Sequence, residues 1–169
     1  MRFNILPVAF LATTVLADGA SIAAAIAAIQ NATTALGTTV ASFPAGLLGL
    51  TEVLPLLVDS TKLLLVINTG TQTASSSANL TDAEAIGIVA PTQALASAVN
   101  STLTSVIAAK AKFDPLVIIS PTILLNLELE KSASDKFGTA VVGKVPAALQ
   151  AIAESLLVPI DDAFTEAIA

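Results

Sequence analysis

Between Gly19 and Thr51 the chain carries no charged side chain, and its large apolar residues recur with a helical period. Ile22, Ile26, Ile29, Thr33, Leu36, Val40 and Phe43 are spaced 4-3-4-3-4-3, one stripe of a helix on which only Thr33 is polar. At about 100° per residue, Asn31 lies about 180° from Ile22 and about 160° from Ile29, on a face made mostly of Ala, Thr and Ser. The helix is amphipathic through small residues instead of charges. A heptad-like seam of this kind wants partner helices, which favours a bundle helix over a membrane span.

The later segments repeat the theme. After Pro44-Ala45-Gly46, the residues Leu47, Leu50, Leu54, Leu57, Thr61, Leu64 and Leu65 predict a second helix that fades at Asn68-Thr69-Gly70. Pro55 either kinks this helix or marks a later start, because an interior proline removes a backbone hydrogen bond. Residues 69–79, TGTQTASSSAN, read as a Ser/Thr-rich exposed linker. Thr81-Asp82-Ala83-Glu84 is a capping box that opens a third helix. Its predicted stripe is Val89, Ala96, Val99, Leu103, Val106, Ile107 and the stem of Lys110, with a bend at Pro91 and an end at Phe113-Asp114-Pro115. A fourth helix starts at Ser120-Pro121 and runs through Leu124, Leu125, Leu129, Phe137 and Val141. The preceding Leu116-Val117-Ile118-Ile119 would be a lone strand with no sheet to join. A fifth begins at Pro146 and carries Leu149, Ile152, Leu156 and Leu157, with Pro159 inside it or splitting off residues 160–168. The expected fold class is all-α, roughly a five-helix up-and-down bundle with an apolar interior.

Composition sharpens this picture. The 169 residues fit one domain and are 54% apolar with only 12% charge, against roughly 25% charge in ordinary globular chains. Mean hydropathy is +0.85, so the chain is membrane-associated or hides unusual apolar surface. Its formal net charge of −6 disfavours a nucleic-acid partner, since phosphate binding rests on clustered Lys and Arg. Met1-Arg2, the apolar residues 5–15 and Val15-Leu16-Ala17 have the form of a signal peptide over residues 1–17, leaving one domain over 18–169. Asp18 arrives too soon for a transmembrane anchor, which needs about 20 continuous apolar residues. Three sequons accord with secretion: Asn31-Ala32-Thr33, Asn79-Leu80-Thr81 and Asn100-Ser101-Thr102. Asn100 lies only about 60° from the centre of the predicted buried arc, so occupancy is expected to favour Asn31 and Asn79. The acidic tail, residues 161–169, is unlike a removable anchor signal, so free secretion or non-covalent wall association is expected.

Catalytic chemistry has little to work with. Cysteine and histidine are absent, which excludes disulfides, zinc-thiolate sites and Ser-His-Asp or Cys-His mechanisms. Glu128 and Glu130 are two apart on a helix and point about 200° from each other, so they make no carboxylate pair. Asp161-Asp162 reads as a solvated face, not a metal site, and no cofactor motif is present. The chain reads as a non-enzyme.

The stretches IGIVAPTQALASAVNSTLTSVIAAKAKF (residues 86–113) and KVPAALQAIAESL (residues 144–156) closely resemble the fungal hydrophobic surface-binding protein A family, which includes the antigenic cell-wall galactomannoproteins. The resemblance implies a secreted five-helix bundle that binds fatty acids or adsorbs to hydrophobic surfaces. Ala90 stands where a serine is expected before Pro91. Two readings stay open: a carrier holding a lipid in an apolar cavity, and a surface-active wall protein with no defined internal ligand. For the carrier, the expected wall is Ile26, Ile29, Leu36, Val89, Val99, Leu103, Leu125, Leu149 and Ile152. No Lys or Arg occurs between Lys62 and Lys110, so Gln93 with Thr92, just after Pro91, is the expected polar contact for a head group.

Overall fold

The computed structural model describes residues 18–113 and 119–169, with Leu47 and Ile119 in backbone alone. The expected signal peptide, residues 1–17, and residues 116–118 of the strand reading lie outside the described residues. α1 runs Asp18–Ala41. After a 3-10 turn at Gly46–Leu48 come α2 (Gly49–Ser76), α3 (Asp82–Gly87), α4 (Val89–Phe113), α5 (Ile119–Val142) and α6 (Ala147–Ile168). The fold is all-α, five long helices with the short α3 added, and no strand occurs among the described residues.

The long helices alternate in direction along the chain, but their neighbours in space are not simply their neighbours in sequence. α1 packs on α2 and α4, α2 on α5, α5 on α6 and α6 on α4, while α4 and α5 scarcely touch. The contacts therefore close a ring in the order α1, α2, α5, α6, α4. Thr33 meets Thr102 and Phe43 meets Phe113, so α1 and α4 run parallel. Ser60 meets Glu130 and Ser77 meets Lys144, so α2 and α5 do too.

α1 forms as its period predicts. Ile22, Ile26, Ile29, Thr33, Leu36, Val40 and Phe43 are all buried, and the Thr33 hydroxyl donates to the Ile29 carbonyl at 2.9 Å. α1 has the length and composition to cross a membrane, yet this stripe is packed into the bundle. Its approach to α4 depends on Gly37, where a Cβ would stand 2.5 Å from Thr102 Oγ1. The close passage lets Thr102 donate to the Thr33 carbonyl at 3.0 Å. At the far end the rings of Phe43 and Phe113 meet edge-on at 4.9 Å, and Lys112 Nζ donates to the Phe43 carbonyl at 2.8 Å. Gly46, at φ +73°, then turns the chain toward α2.

α2 buries a different face from the predicted one. Leu56, Ser60, Leu63, Ile67, Gly70 and Ala74 point inward, while Leu54 is 69% and Leu65 62% exposed. A run with leucines on every side does not fix its own phase, and the small residues decide it. A Cβ at Gly70 would lie 3.1 Å from Ile29 Cδ1 and 3.2 Å from Phe137 Cε2, so this position joins α1, α2 and α5. The same packing extends α2 through residues 69–76, where a linker was expected. Thr71, Thr73 and Ser76 donate to carbonyls four residues back, at 2.9–3.1 Å.

The capping box is present: Glu84 N–H donates to Thr81 Oγ1 at 3.3 Å and Thr81 N–H to Glu84 Oε2 at 2.9 Å. The helix it opens stops at Gly87, ahead of Pro91, which takes the first turn of α4 where a missing N–H costs little. The buried arc of α4 is Leu95, Val99, Thr102, Leu103, Val106 and Ala109, rotated from the predicted stripe so that Ile107 and Lys110 are exposed. On α5, Leu124, Leu125 and Leu129 are exposed and Leu127, Glu130, Ala133 and Phe137 are buried. α6 continues through Pro159.

Gly37→Val is expected to destabilise the fold by about 1–3 kcal/mol, the usual range for overpacking, because the new side chain must part α1 from α4. Chemical denaturation that leaves the midpoint unchanged would show that this approach is not a tight one.

Candidate functional site

The ring encloses a cavity of about 260 Å³ lined from all five long helices. The expected wall residues Ile26, Ile29 and Leu36 of α1 and Val99 and Leu103 of α4 line it, as does Thr92. Leu63 and Ile67 of α2, Phe137 of α5 and Phe164 of α6 complete the apolar wall. A second cavity of about 120 Å³ adjoins it near the start of α4, where the expected residues Val89, Leu149 and Ile152 lie. Thr92, Gly138, Val141 and Leu157 line both. Leu157 seats in the notch left by Gly138, where a Cβ would stand 2.7 Å from Leu157 Cδ1. Together the two spaces fall in the roughly 300–1,000 Å³ range of ligand pockets.

Two expected residues are not brought to the lumen. Gln93 is exposed and lines neither cavity, because Thr92 faces inward and the next residue turns about 100° away. Leu125 is exposed on the outer face of α5. Thr92 reaches the lumen with its hydroxyl donated to the Ile88 carbonyl at 2.8 Å.

The sequon asparagines Asn31, Asn79 and Asn100 are all exposed. With the buried arc of α4 where the structure puts it, Asn100 stands about 130° from the arc's centre, and the geometric reason for ranking it last is gone. Thr33 and Thr102, the third residues of two sequons, are buried.

The residue that pattern reading passed over is Glu130, which is 2% exposed and lines the lumen. Its Oε1 accepts from Ser60 Oγ at 2.6 Å. The series Leu127, Glu130, Ser134, Phe137, Val141, spaced 3-4-3-4, runs through it and was the available signal. Burial pushes the Glu130 carboxyl from the usual 4.5 up to about 7, and the Ser60 hydrogen bond opposes that rise. The remaining charged groups of the lumen lie at its exposed rim: Asp135 of α5 and Glu154 and Asp161 of α6. Lys131 bridges this rim, paired with both Asp161 and Asp135. Among the described residues no cluster of potential metal ligands occurs.

A helical ring around an apolar lumen, with one buried acid in its wall, defines a bundle of the kind that can house a long apolar molecule. The chain belongs to the hydrophobic surface binding protein A family, whose model matches residues 19–143. It is 30% identical over 109 residues to cell wall mannoprotein 1 of Aspergillus flavus, a match covering 64% of this chain and 40% of that protein. With cell wall mannoprotein 1 of Aspergillus fumigatus it shares 32% over 97 residues, 57% of this chain and 34% of the other. The matches thus span well under half the length of these relatives. In structure it is similar to ligand-binding domain 1 of the Penicillium marneffei MP1 protein, complexed with arachidonic acids, with a TM-score of 0.82 at 20% identity over 89% of this chain and 96% of that one. It is equally similar to AFMP4P in complex with palmitic acid, with a TM-score of 0.82 at 21% identity over 89% and 97% of the two chains.

The raised Glu130 value has a signed consequence for stability. The folded state holds this proton more tightly than the unfolded chain, so the stability that Glu130 contributes is fully present below about pH 4.5 and is lost as pH rises through 4.5–7. The loss is about 3 kcal/mol at roughly 1.36 kcal/mol per pH unit, and it stops above about pH 7. Denaturation midpoints measured from pH 4.5 to 8 should follow this fall, and Glu130→Gln should flatten it. An unchanged slope in Glu130→Gln would remove Glu130 as its source.

Proposed function

We propose that the chain is a secreted, non-enzymatic carrier that holds a fatty acid or similar long-chain lipid in the lumen between its helices. The observation that carries this reading is the apolar cavity of about 260 Å³, walled by every long helix and continued toward a second space past Leu157. Apolar cavities of about 150 Å³ already stay dry and accept small apolar ligands. Each methylene removed from water contributes about 0.8 kcal/mol, so a chain of about 16 carbons supplies on the order of 10 kcal/mol before ordering costs. Family membership and the lipid-bound states of MP1 domain 1 and AFMP4P support the same reading. In it, residues 1–17 are the secretion signal and Asn31, Asn79 and Asn100 are glycan acceptors.

A second reading, adsorption to hydrophobic surfaces or to the cell wall, is favoured by the outer faces of α2 and α5. Leu48, Leu50, Leu54, Val58 and Leu65 are exposed on or just ahead of α2, and Leu124, Leu125 and Leu129 on the neighbouring α5. Apolar side chains exposed in such number mark interaction surfaces. The two activities are compatible, one using the inside of the ring and the other its outside.

Organic extraction of the purified protein, followed by mass spectrometry, is expected to yield lipid in stoichiometric amount. Protein that yields none and takes up no added long-chain fatty acid would reject the carrier. Ser134→Phe fills the lumen one helical turn from Glu130 and displaces three or four methylenes of ligand. It should weaken fatty-acid binding about a hundredfold, or about 3 kcal/mol. Gln93→Ala should leave affinity within about twofold.

The double variant Leu54→Asp, Leu65→Asp should keep lipid binding and lose retention on polystyrene or octyl-coated beads. Full retention would discard the outer face of α2 as the adsorbing surface.

A further inference from the structure

The lumen has a direction. Along α5 the wall runs from Glu130 through Ser134 and Gly138 to Val141 and Val142 in the second cavity, about 18 Å at 1.5 Å per residue. The Glu130 end is level with Leu36 of α1, which like Glu130 also lines a further small space of about 30 Å³ beyond the lumen. The buried acid Glu130 thus stands at the junction of the two spaces, and its partner Ser60 lines the smaller one.

Ser60 is the single hydrogen-bond partner of Glu130 among the described residues, and it engages only Oε1. No sealed side-chain oxygen or nitrogen among the described residues lacks a partner. The second carboxyl oxygen is therefore open to cavity space instead of locked in packing. It is a hydrogen-bonding group without a protein partner among the described residues, on a side chain that borders both the lumen and the smaller space.

We propose that Glu130 and Ser60 form the head-group site of the lumen, and that this site takes a long-chain lipid whose polar end is uncharged, a protonated fatty acid or a long-chain alcohol, in preference to a fatty-acid anion. The proposal rests on the lipid-carrier reading and says which end of the ligand goes where and in what state. The charges around the site argue against an anion. α1, α2 and α4 place no charged side chain in the lumen wall. α5 and α6 contribute only carboxylates, Asp135, Glu154 and Asp161, and the nearby ammonium of Lys131 is occupied by Asp161 and Asp135. A fatty-acid carboxylate drawn into this space meets no cation and faces a second carboxyl, and two such groups at close range share a proton before both ionise.

A neutral carboxylic acid or hydroxyl end group meets no such opposition. It donates to the open oxygen of Glu130 when that group is ionised, and exchanges hydrogen bonds with it when both are neutral. The shifted titration of Glu130, near pH 7, puts the change of state in an accessible range. Fatty-acid binding should weaken as pH rises through it, while alcohol binding should not, because a hydroxyl donates equally well to a carboxylate.

The test is equilibrium transfer of palmitic acid and of 1-hexadecanol from cyclodextrin to the delipidated protein at pH 5.5 and 8.5. For the unmodified chain, affinity for the acid relative to the alcohol should fall at least tenfold between the two values. Glu130→Gln, whose amide can donate to a carboxylate, should reduce that fall to less than threefold. Ser60→Ala removes the hydrogen bond that favours the ionised form and should move the midpoint of the fall to higher pH, a readout that stands if the Glu130 variant does not fold. A folded Glu130→Gln protein with the same pH dependence as the parent, or a parent that prefers the acid over the alcohol at pH 8.5, overturns the head-group assignment alone. Failure of both ligands to bind at both pH values overturns the carrier reading with it.

Discussion

Five helices packed side by side in a closed ring cannot all touch a common axis. With neighbours at the usual 8–10 Å, a regular five-membered ring holds each helix axis about 8 Å from the centre, while a helix with its side chains reaches only about 5–6 Å from its own axis. A central space is therefore a consequence of the ring, and the inward side chains decide how much of it is filled. Here α4 and α5, consecutive in the chain, are kept apart by α6, and α1 closes the other side between α2 and α4.

The ring is held tight at its seams by the smallest residues. Gly37 admits Thr102, Gly70 admits Ile29 and Phe137, and Gly138 admits Leu157, so helices approach closely around a centre that stays open. Exposed hydroxyls are absorbed locally, as in Thr34, Thr38 and Thr69, each donating to a carbonyl one turn back. A chain with only 12% charged residues remains polar on its helix surfaces by this means, and its apolar residues are left for the inner wall and for the outer leucines of α2 and α5.

How much was legible in the sequence varied by segment, for physical reasons. In α1 large apolar residues occupy one face and small ones the other, so the period alone identified every large buried residue, and only the small Gly19 and Ala32 were missed. The capping box was equally plain, because its hydrogen bonds join residues three apart. α2 misled because leucines surround it, and its phase is set by Ser60, Gly70 and Ala74, residues whose importance lies in what they let approach. Residues 69–76 have linker composition, and only their packing against the ring makes them helical. Six of the expected lumen residues line the main cavity and three more, Val89, Leu149 and Ile152, line the second. The remaining two, Gln93 and Leu125, stand outside both. Glu130 was legible in spacing but hidden by chemistry, since a carboxylate in an apolar series is normally assigned to solvent.

A lumen that the side chains do not fill by themselves also carries a mechanical meaning for the fold. The side chains leave a space of about 260 Å³ inside the ring, and wall atoms that border it forgo packing contacts that a filled core would have. An apolar occupant would supply contacts that the polypeptide does not make for itself, and would act as part of the core. Loading and folding would then be one equilibrium, with the free concentration of occupant setting the fraction of chains that are folded and their resistance to unfolding.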